Sequence, residues 1–117
     1  MKTLITLIAT LTASVSLASD VEIVNVHATQ SGSAWRFDVT LRHADSGWDH
    51  YADGWEVLAP DGASLGMRVL GHPHVNEQPF TRALGGVVIP EGTTEVVIRA
   101  RDNVDGWTAK TYTLTLP

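Results

Sequence analysis

Apolar residues alternate with polar ones along most of this chain, and this period-two pattern constrains the fold more than any other feature. Trp35, Phe37, Val39 and Leu41 share one parity, and charged or polar residues lie between them. Because side chains of an extended strand point alternately to opposite faces, this spacing predicts a strand with one buried face. After the first residues, no segment has the pattern of a helix of useful length.

The pattern predicts seven strands separated by turns that are rich in Pro and Gly. The turns at Thr29–Ser33, Pro60–Gly62 and Pro90–Gly92 contain glycine, which accepts a positive φ, and two of them begin with proline. Gly85 and Gly86 interrupt the fifth strand and predict a bulge or a bend. Many short strands with such turns are typical of an all-β antiparallel sandwich. The strands are expected near residues 21–28, 35–41, 55–59, 65–69, 80–89, 96–100 and 112–116.

The first residues have the pattern of a secretory signal peptide. Lys2 precedes an uncharged apolar stretch, Leu4–Leu17, and Ser16 and Ala18 supply the small residues of a cleavage site. We therefore expect residues 1–18 to be a signal peptide and residues 19–117 to form one domain. The apolar stretch is shorter than the ~20 residues of a spanning helix, so no membrane insertion is expected after its removal. The predicted location is the periplasm or the secreted medium.

Composition narrows the classes of partner. The chain has no cysteine, so it can form no disulfide and can carry no lipid on a cysteine. Without Lys2, seven basic residues stand against thirteen acidic ones, a formal charge of −6. That balance argues against nucleic acid or an anionic membrane surface as the partner, because both require a basic footprint.

The segment from Leu84 to Pro117 contains a series of motifs with a known counterpart. The motifs are Ile89-Pro90-x-Gly92-Thr93, Val96-x-Ile98-x-Ala100, a turn at Gly106, and Tyr112-x-Leu114-x-Leu116. The series resembles the last three strands of a fibronectin type III domain, and Gly54-Trp55-x-Val57 resembles the start of the third strand of that family. The resemblance implies a seven-stranded immunoglobulin-like sandwich and no particular activity. One departure is Thr94, which stands where the family usually places a tyrosine. The block His72–Arg82 resembles segments of small exported bacterial proteins of unassigned activity.

Three long connections hold most of the unusual side chains. They are His43–Tyr51, His72–Pro79 and Asp102–Trp107, and they contain four of the five histidines and two of the four tryptophans. If each strand reverses the direction of the one before it, the second, fourth and sixth connections fall at the same end. Those are the three long connections, and loops clustered on a rigid sandwich commonly form binding sites.

His72 and His74 give the most specific hypothesis, a metal site. Pro73 favours an extended backbone at His72, so the two imidazoles could face one ion. The other candidate ligands lie in the first long connection: His50, Asp45 and Asp49. Imidazole and carboxylate ligands without sulfur suit Zn²⁺ or Cu²⁺. In the alternative interpretation, these are loop histidines that bond to the backbone or to water.

A competing hypothesis is a module that contacts a protein or a glycan. Its candidate residues are Trp48, Tyr51, Trp107 and Arg82. Arg82 could bind a carboxylate of the partner, although an ion pair with Glu77 or with an Asp of the first long connection is the simpler expectation.

Two further expectations concern buried residues and catalysis. His43 continues the inward parity of the second strand, so it is expected to cap the core rather than to bind a ligand, and Trp55 is expected in the core. The chain has no cysteine nucleophile, no Gly-x-Ser-x-Gly elbow, no phosphate-binding glycine loop and no His-Glu-x-x-His motif. We therefore do not expect an enzyme.

Overall fold

Eight β-strands and no helix make up the described part of the chain, which is residues 3–6, 8 and 18–117 of a computed structural model. The strands are β1 (Glu22–Ser31), β2 (Ala34–Arg42), β3 (Ala52–Leu58), β4 (Ser64–Val69), β5 (Phe80–Val87), β6 (Glu95–Asp102), β7 (Gly106–Trp107) and β8 (Tyr112–Thr115). All seven predicted strands are present, with ends shifted by a few residues. The two-residue strand β7, inside the third long connection, was not predicted.

Most of the predicted signal peptide lies outside the described residues. Residues 1, 2, 7 and 9–17 belong to the part of the chain that is not described, so the assignment of residues 1–18 stays a prediction. In the described ranges, no helix is long and apolar enough to cross a membrane.

The strands form two antiparallel sheets. The smaller sheet has the order β1-β2-β5, and the larger has the order β4-β3-β6-β7, with β8 also paired to β6. Buried side chains from both sheets form a single apolar cluster. The all-β, antiparallel class predicted from the alternating pattern is therefore confirmed.

The core contains the side chains that the parity of the strands assigns to it. Phe37, Leu41, Trp55 and Ile98 are fully buried, so the expectation for Trp55 is confirmed. Burial of each such side chain stabilises the fold by about 1.5–3 kcal/mol relative to exposure. Along β2, buried residues alternate with exposed or half-buried ones, so one face of the strand is directed toward the opposite sheet.

The predicted irregularity in the fifth strand is a β-bulge. Trp35 of β2 pairs with Val87, but Phe37 pairs with Leu84, so one extra residue lies on the β5 side. Gly86 has a φ of 67°, a conformation that costs a side-chain-bearing residue energy because its Cβ crowds the backbone.

The three long connections lie at one end of the molecule, as their order in the chain predicts. The backbone N–H of His43, in the first, donates to Oε1 of Gln78, in the second, at 3.0 Å. The backbone N–H of Tyr51, in the first, donates to Oδ1 of Asn103, in the third, at 2.9 Å. These bonds bring the chemically dense loops together on one face of the scaffold.

Candidate metal centre

Four side chains meet where the long connections converge. Asp20, His43, His50 and Asp102 each offer one nitrogen or oxygen, and these four atoms lie within 4.8 Å of one another. Such a group could hold a metal ion. Its members come from four places in the chain: the segment before β1, the residue after β2, the turn before β3 and the end of β6.

His43 is the most enclosed of the four residues. Its side chain is 1% exposed, and Nδ1 lies 2.6 Å from Oδ1 of Asp45. Because a carboxylate accepts hydrogen bonds, this short contact places a proton on Nδ1 of His43, and Nε2 faces the group. Nε2 lies 3.1 Å from Oδ1 of Asp20. The expected burial of His43 at the end of β2 is confirmed, and the same residue also directs a nitrogen toward the group.

Asp45, a predicted ligand, is not a member of the group but bonds to the ring of one member, His43. Oδ1 also accepts the backbone N–H of Ala52 at 2.9 Å, and Oδ2 accepts the backbone N–H of His74 at 2.8 Å. Both oxygens are thus engaged by the protein, and they tie the first long connection to β3 and to the second connection. Carboxylates in this position orient a histidine ligand and raise its basicity.

Asp102 is held as an anion inside the protein. It is fully buried, and Oδ1 accepts the backbone N–H groups of Val104 at 2.8 Å and Asp105 at 2.6 Å. Burial opposes ionisation, but the bond from the Asp105 amide, the nearby Ser19 hydroxyl and the bond from the Val104 amide outweigh it and lower the pKa of Asp102. Oδ2 lacks a hydrogen-bond partner among the described residues.

His50 faces Asp102 from the first long connection. A tight turn presents it: the backbone N–H of His50 donates to the carbonyl of Gly47, whose φ is 138°. The ring meets that of His43 edge to face, with centroids 4.8 Å apart. Nε2 lies 3.4 Å from Oδ1 of Asp102 and 3.7 Å from Oδ2 of Asp105. No described group makes a hydrogen bond to this buried nitrogen.

The charge around these rings is strongly negative. The carboxylates of Asp20, Asp45, Asp102 and Asp105 all lie within 4 Å of an imidazole nitrogen, and within the described ranges no Arg or Lys pairs with any of them. Carboxylates that cluster around buried rings without an Arg or Lys to balance their charge favour the binding of a cation.

His72 and His74 lie near this group but are not members of it. His74 is buried, its ring stacks on Phe80 with centroids 4.0 Å apart, and its Nε2 lies 2.8 Å from Nη2 of Arg82, which donates to it. Burial, followed by the charges of Arg82 and His72, lowers the pKa of His74. His72 is exposed, and its Nδ1 lies 3.1 Å from the carbonyl oxygen of Pro73. The two rings are 4.5 Å apart. In His74, Nε2 accepts from Arg82, and Nδ1 is buried without a hydrogen-bond partner among the described residues.

The remaining predicted residues are spread over the same end. Asp49 is exposed, and Trp48 is 66% exposed and meets Tyr51 edge to face at 5.6 Å. The guanidinium carbon of Arg99 lies over the ring of Trp107, 3.8 Å from its centroid. The structure therefore joins Trp48 to Tyr51 and places Trp107 against β6.

Arg82 belongs to the second long connection and the strand that follows it. Its guanidinium lies 3.3 Å from Oε1 of Glu77, so the expected ion pair is confirmed. The same guanidinium bonds to His74, which leaves it committed to neighbours within the fold.

Sequence reasoning missed Asp20, His43 and Asp102 as members of the group. The inward parity of His43 favours a core cap over a ligand role, although a buried histidine at a strand end beside acidic loops is also a candidate ligand. Asp102 was assigned to the correct end but was not distinguished from the other carboxylates. No sequence pattern points to Asp20 as a ligand, because its approach to His43 depends on how the segment before β1 packs on the sandwich.

Comparison with known proteins yields one informative similarity. No family model matches the chain, and no solved structure matches it. The chain is similar to a protein of Halomicrobium mukohataei with the printed name "Putative lipoprotein", with 47% identity over 76 residues. The match covers 65% of this chain and 37% of that protein, so the chain spans well under half of the relative's length.

Proposed function

We propose that this protein is an exported module that binds Zn²⁺ or Cu²⁺ through His43, His50 and Asp102, with Asp20 as the fourth ligand. One observation carries the proposal. Among the described residues, His50 Nε2 and Asp102 Oδ2 are buried polar atoms without a hydrogen-bond partner, and both residues belong to the group whose ligand atoms converge. An unpaired buried polar atom costs about 1–3 kcal/mol, and a cation between the two would satisfy both.

The ligand types support this class of metal. Two imidazoles and two carboxylates without sulfur suit Zn²⁺ or Cu²⁺ better than Cu⁺. Ligand atoms around a tetrahedral ion at about 2.0–2.2 Å lie roughly 3.4 Å apart. Nε2 of His43 lies 3.9 Å from Oδ2 of Asp102 and 3.1 Å from Oδ1 of Asp20, so the first pair must approach slightly and the second must separate slightly. The side chain of Asp20, which is 80% exposed, is free to make its part of that adjustment.

Export is supported by two independent features. The first residues have the signal-peptide pattern described above, and the similar protein of H. mukohataei is named as a lipoprotein. The similarity covers 65% of this chain and 37% of that longer protein, so part of this chain corresponds to a portion of it. We place the mature module in the periplasm or the medium.

The sheet arrangement supports a fibronectin type III-like sandwich as the scaffold. In an immunoglobulin constant domain the fourth strand pairs with the fifth, in the same sheet as the first two. Here β4 pairs with β3 in the larger sheet instead. This placement, with the motifs between Leu84 and Pro117, favours the fibronectin type III-like form within the immunoglobulin-like class. We propose binding without catalysis, because none of these features implies a reaction.

Calorimetric titration of the chelator-stripped protein with Zn²⁺ and with Cu²⁺ tests the metal proposal. We expect one equivalent to bind, and we expect His50→Ala and Asp20→Asn each to weaken binding about tenfold or more. The control is His72→Ala, which removes an exposed histidine at the same end and should leave the affinity unchanged. Absence of binding, or loss of binding in the control variant alone, would contradict the proposal.

A second candidate function rests on Trp48. This side chain is 66% exposed beside Tyr51, and Asn103 holds the loop because its Nδ2 donates to the carbonyl of Trp48 at 3.0 Å. A rigidly presented, exposed aromatic pair fits contact with a protein or a glycan. Screening immobilised glycans and peptides should then yield a ligand that Trp48→Ala abolishes without change in metal affinity. A screen with no ligand sensitive to Trp48→Ala would remove this candidate.

A further inference from the structure

The ligand Asp20 lies two residues after the predicted cleavage site, and the residue between them is firmly held. Ser19 is buried, with 8% of its surface exposed. Its backbone N–H donates to the carbonyl of Trp107 at 3.3 Å, and it forms a parallel bridge with Thr108. The first residue of the predicted mature chain is therefore docked on the sandwich before β1 begins.

This docked residue borders the proposed metal centre. The Ser19 hydroxyl is among the groups that favour the ionised form of Asp102, and the next side chain, Asp20, lies 3.1 Å from Nε2 of His43. Ala18, Ser19 and Asp20 also line a cavity of about 530 Å³ between the segment before β1 and residues 108–111. Asp20 thus belongs both to the ligand group and to the wall of a cavity that adjoins the predicted cleavage point.

We propose that cleavage after Ala18 adds a fifth ligand to the metal centre, the freed α-amino nitrogen of Ser19, beside Asp20. This inference rests on the proposed metal-binding function. It makes tight metal binding a property of the processed, exported form, because the precursor lacks the amino ligand.

The chemistry of the two forms of Ser19 differs at one atom. In the precursor its nitrogen is a planar amide whose lone pair is delocalised into the Ala18 carbonyl, so it is a poor metal ligand. A free amine has a localised lone pair and still keeps a hydrogen to donate to the Trp107 carbonyl. A single peptide unit separates this nitrogen from the Asp20 residue, so both can reach the same ion. Removal of Ala18 also opens one wall of the adjoining cavity.

Three versions of the protein test the inference, each titrated with Cu²⁺ and with Zn²⁺. The first begins at Ser19, the second begins at Ala18, and the third begins at Ser19 with an acetylated amino group. We expect the first to bind Cu²⁺ at least tenfold more tightly than the other two. The version that begins at Ala18 is the matched control, because it keeps a terminal positive charge but moves the amine by one residue.

A spectroscopic measurement identifies the amine directly. In the Cu²⁺-loaded protein, ¹⁵N placed only at the amine of Ser19 should change the nitrogen hyperfine pattern of the electron paramagnetic resonance spectrum. Equal affinities in the three versions, or tighter binding after acetylation, would overturn the inference and leave the metal proposal intact. Absence of binding in all three versions would overturn the metal proposal itself.

Discussion

The carboxylate of Asp45 bonds to the ring of His43, with 2.6 Å between Oδ1 and Nδ1. The other contacts of Asp45 reach the backbone of Ala52 and of His74, so this one side chain orients the proposed ligand and joins two of the long connections. Asp45 therefore connects the stability of the three long connections with the geometry of the proposed metal centre.

Replacement of Asp45 should therefore weaken both properties. In Asp45→Asn, one acceptor oxygen becomes an amide donor that faces the N–H groups now bonded to it. We expect the free energy of unfolding to fall by about 1–3 kcal/mol and the metal affinity to fall about 10–100-fold. Urea unfolding and calorimetric titration measure the two effects. Asp49→Asn, in an exposed part of the same loop, is the control, and wild-type metal affinity in Asp45→Asn would contradict the role assigned to this residue.

The lowered pKa of His74 predicts a pH dependence of stability. The unfolded chain takes up a proton at this histidine near pH 6.5, whereas burial, Arg82 and His72 hold the folded form neutral to lower pH and Glu77 and Asp45 offset this only in part. Stability should therefore be lost as the pH falls from about 6.5 toward the folded-state pKa.

Comparison of wild type with His74→Gln isolates this effect from the titration of the carboxylates. Free energies of unfolding of the chelator-treated proteins between pH 7 and pH 5 should fall more steeply for the wild type than for the variant. His27→Gln, which changes an exposed histidine of β1, should retain the wild-type slope. Parallel curves for the wild type and His74→Gln would show that His74 titrates normally in the folded protein.

The bulge in β5 provides a test of the scaffold at two adjacent glycines. Gly86 has a φ of 67°, and a Cβ there would meet no atom within 4 Å, so Gly86→Ala tests backbone conformation alone. We expect it to cost about 1 kcal/mol or more. Gly85→Ala, which also meets open space and lacks the positive φ, should cost less. Thermal or urea unfolding of the two variants measures the difference, and equal costs would contradict the bulge geometry.

The strands could be predicted from the sequence because the alternation in β2 and β6 reflects a local rule, the pleat of an extended chain. The shared end of the long connections followed from strand order alone. The ligand group could not be predicted in the same way, because the approach of Asp20 to His43 and the bond of Arg82 to His74 depend on how distant segments pack. The His-x-His spacing of His72 and His74 is a local signal that predicts a metal site. In the structure, one ring nitrogen of His74 instead accepts a hydrogen bond from Arg82.

In the proposed metal centre, one metal ion lies among His43, His50 and Asp102. An anomalous-scattering map from crystals of the protein loaded with one equivalent of Zn²⁺, collected at the zinc absorption edge, locates the ion directly. We expect a single peak about 2.0–2.2 Å from Nε2 of His43, Nε2 of His50 and a carboxylate oxygen of Asp102. A peak at His72 and His74, or no peak in the loaded crystals, would contradict it.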